Sequence, residues 1–106
     1  MLRSISDGVI ATDPHGQVRF MNSMAEELTG WLEEDALGRD VRDIFKPMDY
    51  KFPQGEDISM TESSFKRAIL PTKDGSKLTV DGSVTLIKDF EDHVDGLVVI
   101  FRAIDS

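Results

Sequence analysis

The chain contains no cysteine. Disulfides, cysteine-ligated zinc and thiol nucleophiles are therefore excluded, and so is any chromophore held through a cysteine sulfur. Basic residues are scarce: 12 Lys and Arg stand against 20 Asp and Glu, for a formal net charge of -8. No Lys/Arg cluster offsets that balance, and such a surface repels phosphate backbones, so nucleic acid is not an expected partner. No apolar run reaches the roughly 20 residues that a membrane helix needs. The N-terminus also lacks a signal-peptide pattern. The expectation is a soluble, cytoplasmic module without direct membrane insertion.

What is present suits one globular domain. Hydrophobic residues make up 40% of 106 residues, enough for a single core and one small pocket. The stretch GVIATDPHGQVRFMN, residues 8–22, sets two apolar β-branched runs around Asp13-Pro14-His15-Gly16. An Asp and a His two residues apart could begin a metal site or an acid/base pair. They lack a third ligand or an orienting partner. The better reading is a hairpin turn, with Asp13 capping backbone N–H groups and Gly16 supplying a left-handed residue.

The pattern then turns helical. Asn22 is a good N-cap and Gly30 a good stop for a first helix. Met24, Ala25 and Leu28 share one face, and Glu26 and Glu27 lean to solvent. Short helical pieces are expected at residues 33–37 and 41–45. Residues 46–62, with two prolines and no clean period, read as an irregular connection. Strands return from about Ser63. Asp74-Gly75 marks a second hairpin, followed by a strand with Leu78, Val80, Val84 and Leu86 on one face. Residues 88–96 read as a polar loop, and LVVIFRAI, from Leu97, as the last strand. That strand is apolar on both faces, which places it centrally and covered twice. Its second cover would be a flanking helix or another chain, with Val98 and Ile100 as the contact face. The order β-β-α-α-α-β-β-β predicts an α+β fold, with short helices packed on one face of a five-stranded antiparallel sheet.

Four ordered segments carry a resemblance. SISDGVIATDPHGQVRFMNSMAEELTGW, GRDVRDIF, TKDGSKLTVDGSVTLIKD and DGLVVIFRAID together resemble a PAS domain (sensory box) of bacterial multi-domain signalling proteins. Diguanylate cyclases, phosphodiesterases and histidine kinases carry such modules. The resemblance implies a single sensor domain over residues 1–106. Residues 1–6 would end an N-terminal flanking helix, and residues 105–106 would begin an output linker. Relatives commonly close on Asp-x-Thr, where this chain has Ala103-Ile104-Asp105. The implied role is to sense a small ligand or to relay a conformational signal to a covalently linked effector. A diguanylate cyclase is the first expectation and a histidine kinase the second. A homodimer is the expected assembly.

The candidate pocket wall comprises Ile10, Phe20, Leu28, Val41, Ile44, Phe45, Phe65, Leu78, Val84, Leu86, Val99 and Phe101. Both a filled core and a small ligand cavity fit these residues. The acidic run Asp89, Glu91, Asp92, His93, Asp95 is rich in oxygen ligands. It departs from an EF-hand loop, since Gly96 falls eighth and Ile100 twelfth. His15 and His93 both fall in turns, so neither is expected to ligate haem. No cofactor is required, and a non-covalent flavin is the one light-absorbing group left open. Trp31 reads as packing. No nucleophile elbow or triad context occurs, so no catalytic residue is expected.

Overall fold

Asp13 turns the chain back on itself. Its Oδ1 accepts the N–H groups of His15 at 2.9 Å and Gln17 at 3.0 Å. Gly16 takes φ +84°, which only glycine adopts without cost. The computed structural model describes residues 7–48, 62–91 and 93–104. The turn joins β1 (Gly8–Thr12) to β2 (Val18–Met21). Three short helices follow: α1 (Ser23–Thr29), α2 (Glu33–Ala36) and α3 (Val41–Ile44). Three longer strands complete the chain: β3 (Glu62–Pro71), β4 (Lys77–Lys88) and β5 (Val94–Ala103). The strands form one antiparallel sheet in the order β2-β1-β5-β4-β3.

Local chemistry sets the element ends. Asn22 Oδ1 accepts the Ala25 N–H at 2.9 Å and so caps α1. Gly30, at φ +81°, ends it by donating to the Glu26 carbonyl, a left-handed C-terminal stop. The exposed edge of β2 is covered rather than left open. Val18 N–H donates to the Arg39 carbonyl at 2.8 Å, and Gly38 N–H donates to the Val18 carbonyl at 2.9 Å. An edge blocked in this way cannot pair with another strand. The β3–β4 turn docks on α1, with Lys73 N–H donating to the Thr29 carbonyl at 2.9 Å.

β5 is the central strand, as its two apolar faces predict. Several details differ from expectation. Phe20 is exposed on the outer face of the sheet. Ile10 pairs with Met21 and Ala11 with Phe20, and a bulge follows between Ala11 and Thr12. Val18 and Met21 therefore both turn inward, and the larger ring between them turns out. Glu26 is half-buried and accepts the Glu33 N–H at 2.7 Å, which ties α1 to α2. Leu28 and Leu78 are half-buried and pack at the margin of the core. The polar loop is shorter than 88–96: Lys88 pairs with Val94 and Ile87 with Gly96. Gly96 also lets β5 pass close to the end of β1, because a Cβ there would collide with the Thr12 carbonyl. The expected flanking segments at 1–6 and 105–106, and most of the 46–62 connection, lie outside the described residues. Within that connection, Met48 N–H donates to the Ile69 carbonyl at 2.8 Å.

Candidate functional site

The sheet has two faces, and each is a candidate. On the inner face three rings meet. The Phe45 ring lies 4.5 Å from Phe101 and 5.7 Å from Phe65, centroid to centroid, both tilted. Such offset ring pairs are favourable beyond their burial. Two glycines admit the rings. A Cβ on Gly8 would lie 2.7 Å from the Phe101 ring, and one on Gly82 would lie 2.7 Å from the Phe65 ring. Ile10, Val41, Ile44, Val84, Leu86 and Val99 are also buried. Phe20 does not reach this space. Val18, Leu70 and Val80 are fully buried there and were not among the sequence candidates. For Val80 the signal available was its alternation with the polar residues Thr79 and Asp81. Thr29 is buried too, with its hydroxyl donating to the Ala25 carbonyl at 2.8 Å, which satisfies it within its own helix.

On the outer face, Val9 pairs with Ile100 and Ala11 with Val98. Ile100 is 39% exposed and Phe20 46%, while Val9, Ala11 and Val98 are half-buried. Together these residues form an apolar strip across β2, β1 and β5.

The polar candidates are occupied by turns. At Asp13, desolvation would raise the carboxyl, but the Gln17 and His15 N–H groups and nearby Arg19 lower it on balance. Asp89 Oδ1 accepts the N–H groups of Glu91 at 2.8 Å and His93 at 3.0 Å. The His93 N–H is the first cause of its lowered carboxyl. His93 Nδ1 lies 3.6 Å from Asp89 and 3.7 Å from Glu91, exposed contacts of small worth. Asp92 lies outside the described residues, and Asp95 is exposed. Among the described residues no three metal-binding side chains gather, and no helix is long and apolar enough to cross a membrane. Trp31 packs against the core, with Lys73 Nζ 4.5 Å and the Arg39 guanidinium 5.3 Å from its ring centre.

The PAS fold family matches residues 1–104. The chain belongs to the PAS family. A curated relative is the sensor protein kinase WalK of Staphylococcus saprophyticus, 39% identical over 46 residues, which are 43% of this chain and 8% of the kinase. The chain thus spans less than a tenth of that relative. Among solved structures, the PAS domain of a Colwellia psychrerythraea protein superposes with a TM-score of 0.74 at 22% identity, covering 92% of this chain and 86% of that one. A PAS domain from a two-component sensor histidine kinase gives 0.71 at 20% identity, covering 92% and 85%. At these identities the structural likeness speaks for the fold. PAS domains are sensory modules of signalling proteins, histidine kinases among them.

Proposed function

We infer that this PAS domain is a relay module of a histidine-kinase-type sensor, working as a homodimer through the outer face of its sheet. The observation that carries the reading is Ile100. It stands 39% exposed on the central strand, with Val9 beside it and Val98 two residues away. On the inner side, Phe45, Phe65 and Phe101 pack ring on ring. The names of the relatives favour a histidine-kinase output over the diguanylate cyclase expected first. In this reading a signal alters how two copies meet, and β5 passes the change to a linked effector. A two-state element of this kind responds only to inputs that favour one arrangement over the other. The test is sedimentation of the chain and of Ile100→Asp. The reading expects a dimer that becomes a monomer on substitution. Association unchanged by Ile100→Asp would remove this face from the interface.

A small-ligand reading has its own support. A groove of about 400 Å³ runs along β3, lined by Met48, Phe65, Ala68 and Ile69 among others, and it adjoins the aromatic cluster at Phe65. That reading expects Ala68→Trp, which fills the groove, to abolish retention of a co-purified compound without unfolding the domain.

A further inference from the structure

Side chains from the two opposite edges of the sheet meet over one aromatic ring. Those edges are β2 and β3. Arg39 belongs to the cover of the β2 edge, since its carbonyl accepts the Val18 N–H at 2.8 Å. Its guanidinium lies 5.3 Å from the centre of the Trp31 ring, and its Nε donates to the Asp35 carbonyl at 2.9 Å. Lys73 belongs to the turn that follows β3, and its Nζ lies 4.5 Å from the same ring centre. Among the described residues neither cation is paired with a carboxylate. The electron-rich ring is the counterpart of both, and it is itself half-buried against the core.

The turn after β3 is closed on itself. Thr72 N–H donates to the Ser76 carbonyl at 2.8 Å, and Gly75 N–H donates to the Thr72 carbonyl at 3.1 Å. Asp74 Oδ1 accepts the Thr72 hydroxyl and the Ser76 N–H. Residues 73–77 are exposed, so the tip holds its own shape and gains little from burial. What fastens it to the helices comes from Lys73. The Lys73 N–H is bonded to the Thr29 carbonyl at 2.9 Å, and the ammonium rests on Trp31. The Thr29 carbonyl stands at the end of α1, where helix carbonyls need outside donors and a cation is favoured. Gly30 clears the approach, since a Cβ there would lie 3.3 Å from Lys73 Cβ. One hydrogen bond and one exposed cation–ring contact make a light fastening. The tip also lies at the end of the sheet where β5 finishes. There Val80 pairs with Ala103, and Ile104 N–H donates to the Thr79 carbonyl at 2.9 Å. We propose that the β3–β4 turn is a strap that opens and closes over the end of α1, with Trp31 as the clasp that makes the strap and the β2-edge cover open together. When Lys73 leaves, the ring loses one of its two cations and Arg39 loses a fixed platform. An event at the strap is then felt at the opposite edge of the sheet. The device goes beyond the relay reading and holds for a monomer and a dimer alike.

The test is amide hydrogen exchange of the whole chain, read by NMR and corrected for the intrinsic rate of each residue. Lys73→Met keeps the aliphatic stem and removes the charge, and Lys73→Arg keeps a cation. Four amides are followed. Those of residue 73, Gly38 and Val18 close the strap and the edge cover. That of Val99, on the central strand, reports global unfolding. In Lys73→Met, exchange at residue 73, Gly38 and Val18 is expected to rise together, each about three-fold, with Val99 unchanged. Lys73→Arg is expected to match the unaltered chain at all four. Acceleration confined to residue 73 overturns the proposal, because the edge cover then opens without the strap. A rise shared equally by Val99 overturns it too, since Lys73 would then serve only global stability. So does no change at any amide, and so does a Lys73→Arg chain that exchanges as fast as Lys73→Met. In a Trp31→Leu background, Lys73→Met is expected to leave Gly38 and Val18 unmoved. An effect that persists there runs by another route and removes Trp31 as the clasp.

Discussion

The Asn22 side-chain amide donates to the Asp7 carbonyl at 2.9 Å, and so ties the first turn of α1 to the entry of β1. The oxygen of the same amide accepts the Val9 N–H at 3.0 Å and the Ala25 N–H. One side chain thus joins the helical layer to the strand that borders β5. Motion at the start of the sheet has a direct route to the helices.

Asn22→Ala removes all three bonds and is expected to cost about 2–3 kcal/mol. Asn22→Asp keeps the two acceptor bonds and loses the donor to Asp7, so its cost is expected to be about half as large. Urea denaturation of both variants checks the ratio. Equal costs would mean that the two acceptor bonds contribute nothing, and an Asn22→Asp without cost would mean the same of the Asp7 bond.

Gly82→Ala tests how tightly β3, β4 and β5 pack at the aromatic cluster. The added Cβ meets the Ile100 carbonyl, lies 2.7 Å from the Phe65 ring and lies 2.9 Å from Phe101 Cα. Two of these neighbours are backbone and cannot move aside. A loss of about 2–3 kcal/mol is expected, read from the denaturation midpoint.

Arg67→Gly is expected to stabilise. Phe65 pairs with Gly82 and Ala68 with Val80, so Lys66 and Arg67 together oppose Asp81. Arg67 holds φ +52°, and its N–H donates to Asp81 Oδ1 at 2.8 Å. Left-handed backbone costs a side-chain-bearing residue about 1 kcal/mol. Glycine keeps the bond and relieves part of that cost, less the extra freedom it gives the unfolded chain. A gain of about 0.5 kcal/mol in thermal or urea unfolding is the expected outcome.

Acid should destabilise the domain through its turns. The Arg42 side chain beside Asp40, the Thr72 hydroxyl at Asp74 and the His93 N–H at Asp89 hold those carboxyls below the usual range. At Asp13 the N–H groups of Gln17 and His15 outweigh desolvation to the same end. A depressed folded-state pKa means that the unfolded chain binds protons first. This stability is fully present above about pH 4 and is lost as pH falls below it. The urea midpoint at about pH 3 should lie below that at about pH 7, and Asp13→Asn should flatten the difference.

Much of this fold was legible because its turns and caps use residues with single purposes. Asp13 with Gly16, Asn22 with Gly30, and Asp74 with Gly75 each announce a backbone geometry that few other residues supply. The two-faced apolar run from Leu97 likewise announced a central strand. What escaped reading depended on register between distant residues. Phe20 faces outward because of a bulge near Thr12, and nothing in VRFM reveals it. The Arg67 bulge places a residue that disfavours left-handed backbone where Asp81, fourteen residues on, accepts its N–H. Gly8 and Gly82 look like ordinary strand glycines until Phe101 and Phe65 are seen against them.

Native mass spectrometry of the purified chain tests the central claim most directly. A relay module that associates through its outer face predicts a dimer at twice the bare polypeptide mass. A monomer that carries extra mass, released only on denaturation, would contradict the account and make this PAS domain a ligand sensor instead.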